Sequence, residues 1–172
     1  MSNAATSQAT TNDTDVWAAR SPSEIIDFIL RRYHEPLHRD LPALVANARQ
    51  VEQETRAYAL CPNGIGEHLE QIRLAVESHL AKEEKILFPL IMAGRGHLAF
   101  MPIKVMMAEH DDHAANLARA RSLCHDFELP GDASPAWQAL YLDLRRLEAD
   151  LQRHIDLENN LLFTRVMGSD AP

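Results

Sequence analysis

Cysteine is almost missing from this chain: Cys61 and Cys124 are the two in 172 residues, and no Cys-x-x-Cys spacing exists. The pair reads as reduced thiols of a cytosolic protein in place of a disulfide framework, and nothing in the spacing supports a bridge between them. Basic character is scarce too, with 17 Lys and Arg against 25 Asp and Glu and a net charge of -8. No Lys/Arg block rises above that acidic background, which argues against a nucleic-acid or anionic-membrane partner. No apolar run approaches the roughly 18 residues of a membrane span. Residues 1–20 are rich in Ala, Ser, Thr, Asn and Asp and have neither the basic nor the apolar region of a signal peptide. The expectation is a cytoplasmic chain with a disordered tail over residues 1–20. Alternating strand patterns are also lacking.

What remains is helical periodicity, punctuated into four segments over one domain, residues 21–168. Ser21-Pro22-Ser23-Glu24 combines an N-cap serine, a proline at the first helical position and a glutamate at the third. It opens a first helix that runs to about Ala57, with Pro36 and Pro42 expected to kink or break it just past His34. Cys61-Pro62-Asn63-Gly64 reads as a loop, and a second helix follows from about Ile65 to Ala93, bent near Pro89 and stopped by Gly94-Arg95-Gly96. The third runs from about Met101 to Phe127. Ser134-Pro135 caps the fourth, which Gly168 closes. The fold class predicted is all-α, an up-down antiparallel four-helix bundle.

Chemistry enters through a duplication. His79-Leu-Ala-Lys-Glu83-Glu-Lys-Ile-Leu87-Phe88 and His154-Ile-Asp-Leu-Glu158-Asn-Asn-Leu-Leu162-Phe163 share the pattern His-x-x-x-Glu-x-x-(Ile/Leu)-Leu-Phe at an offset of 75. His34 lies 45 residues before His79, and His110 lies 44 before His154. One His-x-x-x-Glu alone is a common helix-surface pair. Its repetition together with the apolar residues that follow points instead to ligands, because residues four apart on a helix offer imidazole and carboxylate to one point. The histidines also sit on apolar stripes, where an unliganded imidazole is a costly buried group. His34 lies among Ile26, Leu30, Leu37 and Leu41; His79 among Ile72, Ala75, Val76 and Ile86; His110 among Ile103, Met106, Met107 and Leu117; His154 among Leu147, Leu151, Leu157 and Leu161.

Six ligands, His34, His79, Glu83, His110, His154 and Glu158, suit two transition-metal ions with Glu83 and Glu158 as bridges, about 3.5 to 4 Å apart as in other two-metal sites. Four imidazoles favour iron over magnesium or calcium, and leave manganese or zinc open. The other histidines are weaker candidates. His38 lies one turn past His34 beside Arg39 and Asp40, which suggests a rim position. His113, three residues past His110, is placed to donate to or solvate a ligand. His68 is three turns from His79, about 16 Å and too far for the same ion. His97 falls in a Gly-Arg-Gly-His loop, and His125 near a helix C-terminus.

Arg32-Tyr33-His34, His79 to Phe88-Pro89, Met107-Ala-Glu-His110-Asp111 and His154 to Phe163 together resemble the hemerythrin-like domain of the iron-sulfur cluster repair di-iron proteins, the repair-of-iron-centres family. The resemblance covers about residues 22 to 167. It implies the same six residues as iron ligands, a non-haem centre of two Fe ions open to an oxo or hydroxo bridge, and a role in recovery from nitrosative and oxidative stress. The partners it implies are nitric oxide, oxygen and damaged iron-sulfur proteins. Members usually carry an N-terminal domain with adjacent cysteines, whereas residues 1–20 hold none. The alternative reading is an oxygen-binding or oxygen-sensing protein like the true hemerythrins. Those use His-x-x-x-His in the third helix and His-x-x-x-x-Asp in the fourth, where this chain has Ala114 and Asn159.

Overall fold

The computed structural model of the chain describes residues 16–168. Among them, four long helices pack in a ring, each against the next and the fourth against the first. Helix α1 spans residues 22–54, α2 residues 65–92, α3 Phe100–Leu123 and α4 residues 135–168. The capping box at Ser21 forms as the sequence predicts: the Glu24 amide donates to Ser21 Oγ at 3.3 Å, and the Ser21 amide donates to Glu24 Oε2 at 2.9 Å. Ser134 caps α4 by accepting from the Trp137 amide at 3.3 Å. The α1–α2 connection is held by Glu52, whose carboxylate accepts from the amides of Gly64 and Gly66 at 2.8 and 3.1 Å. The two helices approach so closely there that a Cβ on Gly66 would stand 2.6 Å from Arg49 Cγ.

Neither Pro36 nor Pro89 breaks its helix. Each is preceded by a π-turn, Leu30–His34 in α1 and Glu83–Leu87 in α2, with the amides of Glu35 and Phe88 reaching back five residues to the carbonyls of Leu30 and Glu83. The wide turn ends two residues before the proline, whose missing N–H and bulky ring then fall where the α-ladder is already interrupted. A third π-turn, Glu158–Leu162, occupies the duplicated position in α4. Thr164 stands there where α2 has Pro89, and its hydroxyl donates to the Asn159 carbonyl at 3.0 Å. The extra residue in each turn shifts the helical register. Leu87 therefore faces the core, and Ile86, expected on the inward face of His79, is 54% exposed.

Helix boundaries move by a few residues from expectation. Helix α1 ends at Glu54 because Thr55 leaves helical geometry at φ -102°, and α3 ends at Leu123, followed by His125, Asp126 and Phe127 at φ 50°, 56° and 63°. Of the expected disordered tail, residues 1–15 lie outside the described residues. The remainder is docked on the bundle: the Trp17 ring packs on Phe28 at 4.3 Å between centroids, and the Arg165 guanidinium donates to the carbonyls of Ala18 and Arg20.

Two hydrophobic cores divide the bundle along its axis. One joins Leu37 to Val51, Ile65 to Leu80 and Trp137 to Ile155; the other joins Ile25 to Tyr33, Leu87 to Ile91, Ala99 to Met106 and Leu157 to Val166. Between them every helix presents polar side chains inward, at His34, at His79 and Glu83, at His110 and His113, and at His154 and Glu158. Apolar packing above and below fixes the backbone, and thus closes this polar layer off from bulk solvent.

Candidate metal centre

All six residues singled out in the sequence meet in that layer, each no more than 2% exposed. They form two groups of four, His34-Glu83-His154-Glu158 and His79-Glu83-His110-Glu158, and in each group one donor atom per residue lies within 4.8 Å of all the others. Both carboxylates belong to both groups. The imidazoles face one another in pairs: His34 Nε2 is 3.2 Å from His154 Nε2, and His79 Nε2 is 3.1 Å from His110 Nε2. Glu83 Oε2 stands 3.4 Å from His34 Nε2 and 3.5 Å from His79 Nε2. Glu158 lies 3.2 Å from His110 Nε2 through Oε2 and 2.9 Å from His154 Nε2 through Oε1.

The outward nitrogens decide what the inward ones can do. His34 Nδ1 is 3.0 Å from Glu84 Oε1, His79 Nδ1 is 3.0 Å from Glu109 Oε2, and His110 Nδ1 is 2.9 Å from Asn159 Oδ1. Each acceptor draws the ring proton to Nδ1, so a neutral imidazole presents its Nε2 lone pair to the centre. Two lone pairs facing each other at 3.1 Å are tolerable only with a cation between or beside them. Glu83 sharpens the point, since both of its buried oxygens lack a hydrogen bond, and Glu158 Oε2 is in the same state. Buried carboxylates without compensation cost several kcal/mol each. The donor set is thus one that cations complete, and four imidazole nitrogens with two shared carboxylates can hold a pair of transition-metal ions.

Protons are the other cations that can sit there. Burial pushes the His79 imidazole down, but the Glu83 carboxylate 3.5 Å away, with Glu158 and Glu109 behind it, outweighs burial and raises its pKa to about 9. His34 is raised for the same reasons, with burial opposed by Glu83 and Glu158. Burial pushes Glu158 and Glu83 up; for Glu158 the neighbouring His154 and His110, and for Glu83 His34 and His79, hold the carboxyls below their ordinary range nonetheless.

The other histidines separate cleanly. His38 stands on the rim and shares Glu84 Oε1 with His34, at 3.1 Å, so it holds the residue that orients a member of the centre. His68 is buried and meets the Asn116 carbonyl through Nε2 at 2.9 Å. His97 lies in the short helical turn Gly96–Leu98, and His125 reaches toward the Cys61 carbonyl at 3.4 Å. His113, expected to donate to a ligand, instead packs its ring edge-to-face on His79, 4.9 Å between centroids, with neither nitrogen hydrogen-bonded. The cysteines are far from this chemistry, and burial pushes the Cys124 thiol up to about 12.

Sequence reasoning passed over Glu84, Glu109 and Tyr33, and treated Asn159 only as a departure from another pattern. The offset of 75 carries part of that signal, because Glu84 and Asn159 are duplicated positions, each one residue past the layer's glutamate and each holding the histidine of the preceding odd-numbered helix. Glu109 and Tyr33 correspond likewise, one residue before His110 and His34.

A four-helix bundle that buries four histidines and two glutamates at one level is hemerythrin-like in class. Its sequence matches the Hemerythrin HHE cation binding domain over residues 26–166. The probable iron-sulfur cluster repair protein of Haemophilus influenzae is 41% identical over 161 residues, which are 94% of this chain and 72% of that protein. Proteins named iron-sulfur cluster repair protein YtfE are similar as well: that of Edwardsiella ictaluri is 42% identical over 153 residues (88% of this chain, 69% of the relative), and that of Escherichia coli O81 is 36% identical over 154 (90% and 70%). The chain belongs to the hemerythrin HHE cation-binding family, and its relatives there are iron-sulfur cluster repair proteins. No helix among the described residues is long and apolar enough to cross a membrane.

Proposed function

We propose that the chain holds two iron ions on His34, His79, Glu83, His110, His154 and Glu158, and that it acts in nitrosative and oxidative stress by supplying iron for damaged iron-sulfur clusters. The observation that carries this reading is the set of paired Nε2 atoms facing two shared, hydrogen-bond-poor carboxylates in a dry layer. The names of its relatives supply the client class. Ferrous iron bound there would offer both a transferable ion and open positions for small diatomic ligands such as nitric oxide.

The chain's own part is to prepare the donors. Glu84, Glu109 and Asn159 keep the proton of three imidazoles on Nδ1 and so leave Nε2 free to bind. The cores on either side exclude water, and the two carboxylates offset the charge that a dry layer would otherwise reject. Oxygen carriage is the weaker reading. Ala114 is exposed, and Asn159 is occupied at the outward nitrogen of His110, so neither position of the carrier pattern supplies a donor to the centre.

Anaerobic reconstitution with ferrous iron should give two ions per chain, reduced in Glu83→Ala and Glu158→Ala and intact in His97→Ala. Mixed with an inactivated cluster enzyme, thiol and sulfide, the loaded chain should restore activity faster than equal free ferrous iron. Reactivation at the control rate, together with an oxygen adduct that forms and releases repeatedly, would favour the carrier reading.

A further inference from the structure

The chain contains three lysines, Lys82 and Lys85 on α2 and Lys104 on α3, all on the helix pair joined by residues 93–99. Residues 85–108 hold Lys85, Arg95 and Lys104 and not one Asp or Glu, in a chain of net charge -8. The same segment supplies Ile86, Met92, Leu98, Phe100, Met101 and Val105, six of the ten large apolar side chains exposed among the described residues. They are not scattered. The Lys82–Glu109 ion pair sets the register of α2 against α3. One turn nearer the connection, the π-turn of α2 packs against α3 and turns Ile86 outward, while Val105 and Met101 precede Glu109 at four-residue spacing on α3 and are exposed, so the two helices present apolar side chains along one seam. Lys104 lies over the Phe100 ring, 5.8 Å from its centroid.

Such a surface is expensive to leave in water, and contiguous exposed apolar area of this kind marks an interaction site. Its charge says what it fits. We propose that the end of the bundle formed by residues 85–108 docks an iron-sulfur protein through a surface with an apolar centre and carboxylates at its rim. The proposal rests on the repair reading for the identity of the partner, and on the exposed apolar and basic side chains for its chemistry. A second copy is disfavoured, because two-fold pairing sets this patch against itself and opposes cation to cation. Location supports a client over a lipid surface. The seam runs directly into Glu109, which pairs with Lys82 outside and holds His79 of the buried layer inside. A protein seated on the seam lies over a side chain that contacts the centre.

The test uses the full chain loaded with iron, a cluster-depleted [4Fe–4S] hydro-lyase as probe, and two variants: Lys85→Glu/Arg95→Glu/Lys104→Glu and Phe100→Ser/Met101→Ser. Circular dichroism and iron content establish that each variant is folded and loaded. Expected is binding of the parent chain that weakens with salt, a loss of tenfold or more in affinity and in the rate of iron transfer to the probe in both variants, and an unchanged rate of transfer to a small ferrous chelator. Equal affinity of variants and parent overturns the proposal, as does absence of binding by the parent. Binding of the parent to phosphatidylglycerol vesicles, lost in the variants, overturns it in favour of a membrane. Sedimentation showing a parent oligomer that both variants dissolve overturns it in favour of self-association. The affinity arm is read with iron-free chain as well, so a failure of iron delivery by parent and variants alike counts against the repair reading and leaves docking to be decided by affinity.

Discussion

The ring of Tyr33 lies parallel over that of His154, 5.1 Å between centroids and 8° between planes, in the place where the duplicated half of the bundle sets Glu109 against His79. The duplication is therefore broken at this position. His79 has a carboxylate on its outward nitrogen, whereas His154 Nδ1 is buried without a partner. The outward side of the His154 ring is thus held by the Tyr33 stack alone, with no acceptor to fix the ring proton on Nδ1.

The two halves of the centre should consequently release metal at different rates, with the His34–His154 side first. Loss of an orienting partner typically weakens metal affinity by roughly 10- to 100-fold. Challenged with a chelator, the loaded chain should lose its ions in two phases. Tyr33→Glu should slow the faster phase, and Glu109→Ala should quicken the slower one. A single phase in the parent chain, unaltered by Tyr33→Glu, would count against the asymmetry.

Acid and base should act in opposite senses on the metal-free and loaded forms. In the metal-free chain His79 has a pKa of about 9 against 6.5 for an unperturbed imidazole, so its contribution to stability is complete below about pH 6.5 and is lost as pH rises through 9. Coordination requires the neutral ring, which makes the loaded form lose stability as pH falls below about 6.5. Thermal melting between pH 5.5 and 9 should show slopes of opposite sign. Iron binding at pH 7 should also release at least the His79 proton, measurable with an indicator dye in weak buffer.

Close approach of α1 and α2 gives a prediction about stability alone. A methyl on Gly66 meets Arg49 Cγ at 2.6 Å, the Arg49 Cα at 3.2 Å and Glu52 Oε2 at 3.2 Å. The arginine stem can swing away, but its Cα cannot, and the shift disturbs the carboxylate that holds the Gly64 and Gly66 amides. Gly66→Ala should cost about 1–3 kcal/mol in denaturant unfolding. Iron stoichiometry should be unchanged, since Gly66 lies at the far end of α2 from the polar layer.

How much of this was readable beforehand depends on the kind of signal. Four helices, the caps at Ser21 and Ser134 and the gathering of six residues in one layer followed from periodicity and from a repeat long enough to include apolar positions. The π-turns did not, because a period of 3.6 has no mark for one inserted residue, and the prolines that accompany two of them read as kinks. Ile86 turns away from the expected face of His79 for the same reason. The residues that orient the imidazoles were harder still, since Glu84 and Glu109 look like ordinary helix-surface carboxylates until the neighbouring helix is in place. Tyr33 gives no sequence sign of stacking on a residue 121 positions away.

His113 carries the last prediction. It is 4% exposed, neither nitrogen has a hydrogen bond, and burial, with the nearby His79 and His110, lowers its pKa to about 4. A neutral ring in that state retains the desolvation cost of a polar group, roughly 1–3 kcal/mol, without a bond to offset it. Because the folded pKa is depressed, stability is complete above pH 6.5 and falls as pH drops toward 4, where the unfolded chain takes up a proton that the fold refuses. His113→Leu removes both effects while keeping a side chain of similar bulk against His79. The metal-free variant should melt higher than the parent by a few degrees, with the gap widening below pH 6.5. Iron content should stay at the parent value, because His113 belongs to neither group of four donors. A variant that melts lower and loses one ion per chain would instead make His113 a ligand in its own right.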